Sequence, residues 1–209
     1  MKLVNLFLQR KSDLFDSLLI HIEMTLIAVA IATLIAVPLG IWLAKHKKYA
    51  ELIIGFTSLV QTIPSLALLG FMIPLFGIGK EPALIALVLY ALLPILRNTY
   101  LGISEVGSAY IEAGVGMGMT RWQLLFMVQL PIAFPVVLGG IRTSTVWTVG
   151  VATLGALVGA GGLGDFIFRG IATANSELIL LGAIPAALLA LFFDFLLGQI
   201  EQRKKIPTR

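Results

Sequence analysis

The chain has 209 residues, of which 58% are apolar and 12% are charged, and it contains no cysteine. A soluble domain carries about 25% charged residues. Together with the mean hydropathy of +0.99, this composition excludes an ordinary globular enzyme, a disordered chain and a disulfide-bonded scaffold. Several long runs have no charge at all, and about 20 apolar residues in a helix are enough to cross a bilayer. The sequence therefore predicts a multi-pass protein of the cell membrane.

The uncharged runs predict an all-α membrane fold with about five spanning helices. The first run has no small-residue cleavage site before it, so it is interpreted as a retained span and not as a signal peptide. The second uncharged run, residues 52–79, contains Pro64 and Pro74 after the polar pair Gln61 and Thr62, which predicts one long or broken span. The third continues past Arg97 if that side chain reaches the interface. The single membrane domain of residues 1–209 is predicted to have spans at residues 20–44, 52–78, 82–103, 132–158 and 177–199.

The stretch 122–164 leaves the number of spans open, because its only charge is Arg142. Two spans joined by a turn at Gly139 and Gly140 would fit it, and so would an interfacial helix that ends near Pro131 and precedes one span. Five spans with the N-terminus outside place nine basic residues inside and five outside, whereas six spans give nine against six. The positive-inside rule mildly favours five spans. Both arrangements place the basic tail, residues 203–209, in the cytoplasm.

Few ionisable side chains lie well inside the predicted spans. His21 and Glu23 fall at the outer edge of the first span, where solvation costs little, so no role in proton coupling is expected for them. Asp194 lies about two turns before the basic tail and is predicted to pair there or to extend toward the interface. The chain lacks the run of buried carboxylates that is typical of an ion-driven transporter.

The segment between the third and fourth predicted spans contains the most specific motif of the chain. Its spaced positions are Glu112, Ala113, Gly114, Gly118, Val128, Leu130 and Pro131. The spacing resembles the cytoplasmic EAA motif of permease subunits of ATP-binding-cassette (ABC) importers, with Gly114 replacing the second alanine and Val128 replacing an isoleucine. The resemblance implies the type I ABC importer permease fold, with residues 105–131 forming a cytoplasmic coupling loop that includes a coupling helix. A cytoplasmic loop here also favours five spans.

Small residues and an acid suit such a loop for mechanical reasons. A glycine turn lets two short helices approach closely enough to enter a cleft of a nucleotide-binding subunit. The carboxylate of Glu112 would favour a helix N-terminus or pair with an arginine or lysine of the partner. The alternative is that Glu112 is a solvated acid on an amphipathic helix. The matching positions of Gly118, Leu130 and Pro131 favour the coupling interpretation.

A glycine-rich region narrows the family further. Residues 140–150 (GIRTSTVWTVG), 159–164 (GAGGLG) and 170–171 resemble the permeases of bacterial osmoprotectant importers, which move glycine betaine, carnitine, choline and related quaternary ammonium compounds. The similarity covers residues 17–198. It implies translocation of these compounds by alternating access, driven by a separate ATPase subunit. The alternative is a related ABC importer for amino acids such as methionine, or for another small solute.

Hydroxyl side chains are concentrated in the fourth predicted span. Hydroxyls in a membrane helix either bond to a carbonyl of their own helix or line a polar path, and the sequence leaves both options open. A tryptophan among them would offer a π face to a quaternary ammonium, or serve as packing or as an interfacial anchor. The residues predicted to line a translocation path are Thr143, Thr145, Trp147 and Thr148.

The sequence has no motif for catalysis, metal binding or nucleotide binding. The glycines of residues 155–164 lack the Lys-Ser/Thr that completes a P-loop. Two histidines and no cysteine leave few groups for metal or nucleophilic chemistry. The basic residues lie at the ends of apolar runs and not in a stripe, so no nucleic-acid partner is expected. We expect a subunit that is not an enzyme and binds no cofactor or metal; a membrane enzyme or a channel is the weaker alternative.

The resemblance also implies a set of partners. ATP would be bound and hydrolysed by a pair of cytoplasmic ATP-binding subunits. Five spans do not easily enclose a pore, so a second permease copy or a homologous permease is expected. An extracytoplasmic substrate-binding protein would dock on the outer loops near Lys80, Glu81 and residues 165–169, and the lipid bilayer would surround the spans.

Overall fold

The structure is a computed structural model that describes residues 2–203, and this part of the chain is helical throughout, without strands. The helices are connected by short segments. In chain order they are α1 (Lys2–Lys45), α2 (Lys47–Thr62), α3 (Ser65–Phe76), α4 (Lys80–Ser104), α5 (Ser108–Gly116), α6 (Arg121–Leu124), a π-helical turn (Leu125–Gln129), α7 (Leu130–Ala152), a 3₁₀ segment (Thr153–Val158), α8 (Gly164–Ala172) and α9 (Ser176–Arg203).

The first helix is much longer than the bilayer requires. α1 has 44 residues, and its backbone leaves the helical region at Arg10, where φ is −110° and ψ is 15°. The predicted span 20–44 is the C-terminal part of this helix. Its N-terminal part packs through Leu14 on Phe166 of α8 and Leu181 of α9, which covers apolar side chains at the outer end of the bundle.

The second predicted span is broken at Pro64. α2 and α3 meet there at an angle of 95°, because a proline has no N–H and its ring disfavours helix at the preceding residue. The hydroxyl of Tyr90 in α4 donates to the carbonyl oxygen of Ile63, and the side-chain amide of Gln61 donates to the carbonyl oxygen of Tyr90 at 3.0 Å. The first bond satisfies a backbone carbonyl at the break, and the second satisfies the Tyr90 carbonyl inside α4, to which Pro94 has no N–H to donate.

The fourth span is continuous. α6, the π-helical turn, α7 and the 3₁₀ segment together form one candidate span of 38 residues, Arg121–Val158. The alternative turn at Gly139 and Gly140 is not found, because both residues lie in the middle of α7. The other arrangement agrees with the structure in that α6 and the π-helical turn end at Gln129, just before Pro131, and lead without a break into α7. Four single helices and the bent pair give up to five candidate spans in the described chain, so the six-span arrangement has no support.

The core forms where α4 packs between α1 and α7. Small side chains line these crossings, because the helices of a membrane bundle gain stability from close backbone approach. Gly140 of α7 is the tightest point: a Cβ there would lie 2.8 Å from the carbonyl oxygen of Pro94 and 2.6 Å from Cβ of Asn98. The buried alanines at these contacts are Ala28, Ala32, Ala36, Ala83, Ala86 and Ala91.

Neighbouring glycines in α7 offer a matched test of this packing. Gly140→Ala should destabilise the protein by about 1–3 kcal/mol, because the new methyl group meets the backbone of α4. Gly139→Ala should be neutral or stabilising, because nothing lies within 4 Å of the position that its Cβ would take. Thermal unfolding of the two purified variants in one detergent checks the difference; equal melting temperatures would contradict the close α4–α7 approach.

Candidate coupling surface and translocation cavity

The segment with the EAA-like motif folds as two short helices around a glycine turn. α5 ends at Gly116, and Gly118 has a φ of +76°, a left-handed conformation that side chains with a Cβ rarely adopt. Thr120 then caps α6: its hydroxyl accepts from the N–H of Gln123, and the Gln123 side chain accepts from the N–H of Thr120. The sequence motif therefore coincides with a helix–turn–helix whose turn is fixed by local chemistry.

Gly114 joins these two helices. It is buried, and a Cβ at this position would lie 2.6 Å from Cδ1 of Leu124 and 3.3 Å from the sulfur of Met119. Val128, half-buried in the π-helical turn, packs on the same side. The departure from alanine at Gly114 thus allows a closer approach of α6 to α5.

The opposite face of this segment is exposed. Glu112 and Ala113 lie on it, and Glu112 forms no ion pair in the part of the chain that the structure describes. Large apolar side chains of the same segment are exposed as well. They are Tyr110, Val115, Met117, Trp122 and Phe126. We call Glu112, Ala113 and these five residues the coupling surface; an exposed apolar patch around a charge is typical of a protein-binding site.

The segment leads directly into a membrane helix. The N–H of Leu130 bonds to the carbonyl oxygen of Leu125, five residues earlier, which makes the π-helical turn. Pro131 follows in the first turn of α7, where its missing N–H interrupts the α-helical ladder. Leu130 is half-buried and Pro131 exposed. No loop separates the coupling surface from α7, so a displacement of one displaces the other.

The predicted path residues separate into two groups. Thr143, Trp147 and Thr148 line a cavity of about 330 Å³ between α2, α4 and α7. Thr145 does not line it: this side chain is buried and its hydroxyl donates to the carbonyl oxygen of Ile141 at 2.8 Å. The structure therefore brings three of the four candidates together at one cavity, henceforth the α4–α7 cavity.

The other walls of this cavity were not predicted from the sequence. Gln61 of α2 and Tyr90, Leu93, Pro94 and Arg97 of α4 complete the lining with Val151. Of these residues, Gln61 could have been noticed in the sequence, because it is a polar side chain within an apolar run. Arg97 is exposed, lies about two turns before the end of α4 and also lines the cavity.

Hydroxyls near the cavity are mostly engaged in the fold. Thr148 donates to the carbonyl oxygen of Ser144 at 2.8 Å, and Ser144 donates to the carbonyl oxygen of Ala91 in α4 at 3.0 Å. The second bond fixes α7 against α4 at the level of the cavity. Thr143 is exposed and has no hydrogen-bond partner among the described residues, so its hydroxyl is free for a ligand.

An ion triad joins α7 to α9. Arg142 donates to both carboxylate oxygens of Asp194 at 2.7 Å and to Glu201 at 3.3 Å. Gly198 allows this approach, because a Cβ there would lie 3.0 Å from the guanidinium carbon. The prediction that Asp194 pairs with the basic tail needs correction: its partner is Arg142, and residues 204–209 lie outside the described residues.

His21 also differs from expectation. It is 1% exposed and not at a solvated edge, and its Nε2 donates to the carbonyl oxygen of Val149 in α7 at 3.0 Å. Glu23 does lie in an exposed position and pairs with Lys80 at 3.3 Å. These contacts tie α1 to α7 and α4 at the outer end of the bundle.

A sequence-family profile described as "Binding-protein-dependent transport system inner membrane component" matches residues 36–206. The chain belongs to this family. It is therefore a membrane-embedded permease of a binding-protein-dependent ABC importer.

Curated relatives are similar along most of the chain. A glycine betaine/carnitine/choline transport system permease protein of Bacillus subtilis is 48% identical over 187 residues, covering 90% of this chain and 86% of that protein. A choline transport system permease protein of Bacillus subtilis is 49% identical over 188 residues, with coverages of 90% and 86%. A carnitine transport permease protein of Listeria monocytogenes is 50% identical over 183 residues, with coverages of 88% and 84%.

Solved structures share the fold. The inward-facing MetNI methionine ABC transporter matches with a TM-score of 0.84 at 24% identity, covering 92% of this chain and 96% of that chain. An amino acid ABC transporter with histidines matches with a TM-score of 0.74 at 21% identity, covering 95% and 97%. These matches confirm the predicted all-α permease fold of type I ABC importers.

Proposed function

We propose that this permease translocates quaternary ammonium osmoprotectants, namely glycine betaine, carnitine and choline, by alternating access. A separate pair of cytoplasmic ATP-binding subunits binds and hydrolyses ATP, and this chain holds no cofactor of its own. The observation that carries the proposal is the continuity of α7. One helix connects the coupling surface, through Pro131, to Thr143 and Trp147 at the α4–α7 cavity.

The coupling surface supports an ATPase contact. It combines exposed apolar side chains with Glu112, whose carboxylate forms no ion pair among the described residues and suits an arginine or lysine of the partner. On the α1 side, the amine of Lys45 lies 5.4 Å from the centre of the Trp122 ring, and Trp122 stacks on Phe126. Pressure on this surface would therefore act on α1 and α7 together, which is what movement of a half-transporter requires.

The outer end of the bundle suits a substrate-binding protein. A cavity of about 470 Å³ between α1, α8 and α9 is lined by Arg10, Asp13, Asp165 and Arg169, among others. Arg10 and Asp13 form an exposed pair at 3.5 Å, so both signs of charge are presented together. Residues 165–169 thus contribute to a docking surface that carries both signs of charge. Such a surface orients the substrate-binding protein and speeds its association more than it strengthens the complex.

The α4–α7 cavity suits a quaternary ammonium compound. Trp147 is 69% exposed in the isolated chain and lines the cavity. Its indole face is therefore accessible to a quaternary ammonium group, which is a cation that has no hydrogen-bond donors. A second permease copy or a homologous permease would close the exposed side of this cavity, and the two chains together would enclose the path.

Uptake measurements test the proposal. In cells that lack other importers, the chain expressed with its ATPase and binding protein should accumulate radiolabelled glycine betaine, and an ATPase-inactive partner should abolish accumulation. Methionine uptake without glycine betaine uptake would contradict the substrate class and support the amino-acid alternative. Flux that persists with the inactive ATPase would contradict ABC transport and support a channel.

A further inference from the structure

Arg97 places a positive charge at the α4–α7 cavity without a fixed counter-charge. No carboxylate pairs with it in the described chain. Glu51 lines an adjoining cavity together with Arg97 and Ser58, but lies beyond ion-pair distance. An ionisable side chain within a span is costly unless function retains it, and its partner is then sought in the transported species. A planar guanidinium binds a carboxylate through two hydrogen bonds.

Thr143 provides a second polar group on the same wall. Ser144, Thr145 and Thr148 all donate to backbone carbonyls, whereas the hydroxyl of Thr143 has no such bond in the part of the chain described. Thr143 and Arg97 both line the cavity. Gly140 lies against Pro94 and Asn98 while Ser144 reaches Ala91, which places Arg97 toward the cytoplasmic end of the cavity and Thr143 farther from that end.

Aromatic rings occupy the other end of the same cavity. Trp147 lies one turn of α7 beyond Thr143, about 6 Å along the axis, in the direction away from Arg97. Tyr90 lies about two turns before Arg97 on α4, and its hydroxyl is fixed on Ile63. The cavity therefore has a cationic, hydroxyl-bearing end and an aromatic end.

We propose that Arg97 and Thr143 bind the carboxylate of a zwitterionic quaternary ammonium compound while Trp147 and Tyr90 face its trimethylammonium group. This inference rests on the proposed function and adds an order of preference within it. Glycine betaine and carnitine satisfy both ends. Choline has no carboxylate and brings a positive charge toward Arg97, so the site binds it more weakly.

Direct binding to the permease tests this site without the binding protein, whose own affinity dominates uptake. The intact permease–ATPase complex in lipid nanodiscs is equilibrated with radiolabelled glycine betaine or radiolabelled choline. Arg97→Gln should raise the dissociation constant for glycine betaine about tenfold, which is about 1.4 kcal/mol, and leave that for choline unchanged or lower it. Thr143→Val should weaken glycine betaine binding by a smaller factor, and Thr145→Val is the matched control that should bind as the wild type does.

Each outcome decides the question. A similar rise in both dissociation constants after Arg97→Gln would assign Arg97 a structural role and overturn the site, as would unchanged binding of both compounds. A wild-type complex that binds no glycine betaine, from an importer that accumulates it in cells, would also overturn the site but leave the proposed function standing. An importer that accumulates none of the three compounds would instead refute the proposed function itself.

Discussion

Gly118→Val is expected to abolish substrate uptake while the protein still inserts into the membrane. The left-handed conformation at Gly118, with φ at +76°, costs a residue with a Cβ about 1–2 kcal/mol, and a β-branched residue more. Because this turn sets the angle between α5 and α6, the coupling surface would lose its shape. Copurification of the ATPase subunit and uptake of glycine betaine, each at matched membrane levels, measure the effect.

Gly116→Ala is the matched control for the turn. Gly116 is helical and exposed, and nothing lies within 4 Å of the position that a Cβ would take there, so alanine should keep both ATPase yield and uptake near wild type. Gly118→Ala should fall between the control and the valine variant. Normal uptake and normal ATPase yield for Gly118→Val would contradict the assignment of this segment to coupling.

Glu112→Lys tests the contact with the ATPase subunit separately from the shape of the turn at Gly118. Glu112 is exposed and forms no ion pair among the described residues, so its replacement should leave the turn and the membrane bundle intact. A lysine there would repel a basic partner surface and reduce the ATPase yield. Unaltered association would remove Glu112 from the contact while leaving the turn at Gly118 as a separate test.

The sequence predicted the turn at Gly118 well because the chemistry of this segment is local. The spacing from Glu112 to Pro131 specifies a turn, a cap and a helix start within 20 positions, and Gly118 does adopt the backbone conformation that only glycine adopts easily. The break at Pro64 was visible for the same reason. The bonds from Gln61 and Tyr90 that brace this break were not, because they connect this region to α4, and Gln61 and Tyr90 are 29 residues apart in the chain.

Features that depend on packing between distant helices were predicted less well. The sequence allows a turn at Gly140, yet the lack of a side chain there serves the contact with Pro94 across helices. The same limit applies to the hydroxyls: periodicity could not tell Thr145, which bonds within its helix, from Thr143, which lines the cavity. The sequence shows which residue types a helix carries, but not which neighbouring helix each side chain contacts.

Arg142→Gln is expected to lower glycine betaine uptake roughly tenfold, because it removes the guanidinium that bonds to both carboxylate oxygens of Asp194 and to Glu201. The triad joins α9 to α7 next to Thr143, so its loss would let α7 move without α9. Asp194→Asn should also lower uptake, since the guanidinium loses its bidentate partner and keeps only Glu201. Uptake at matched membrane levels, together with thermal unfolding of the purified protein, measures both variants.

The double variant Arg142→Gln/Asp194→Asn tests whether the pairing itself matters. Two amides of similar shape can bond to each other, and no charge of this pair is left stranded, so the double variant should exceed both single variants in uptake and in melting temperature. Glu201 keeps its own position at the end of α9 in all three proteins. If the losses of the single variants simply add, Arg142 and Asp194 act independently, and the joined movement of α7 and α9 has no support. A double variant that regains stability but not uptake would show that the charges, and not merely the α7–α9 contact, are needed for transport.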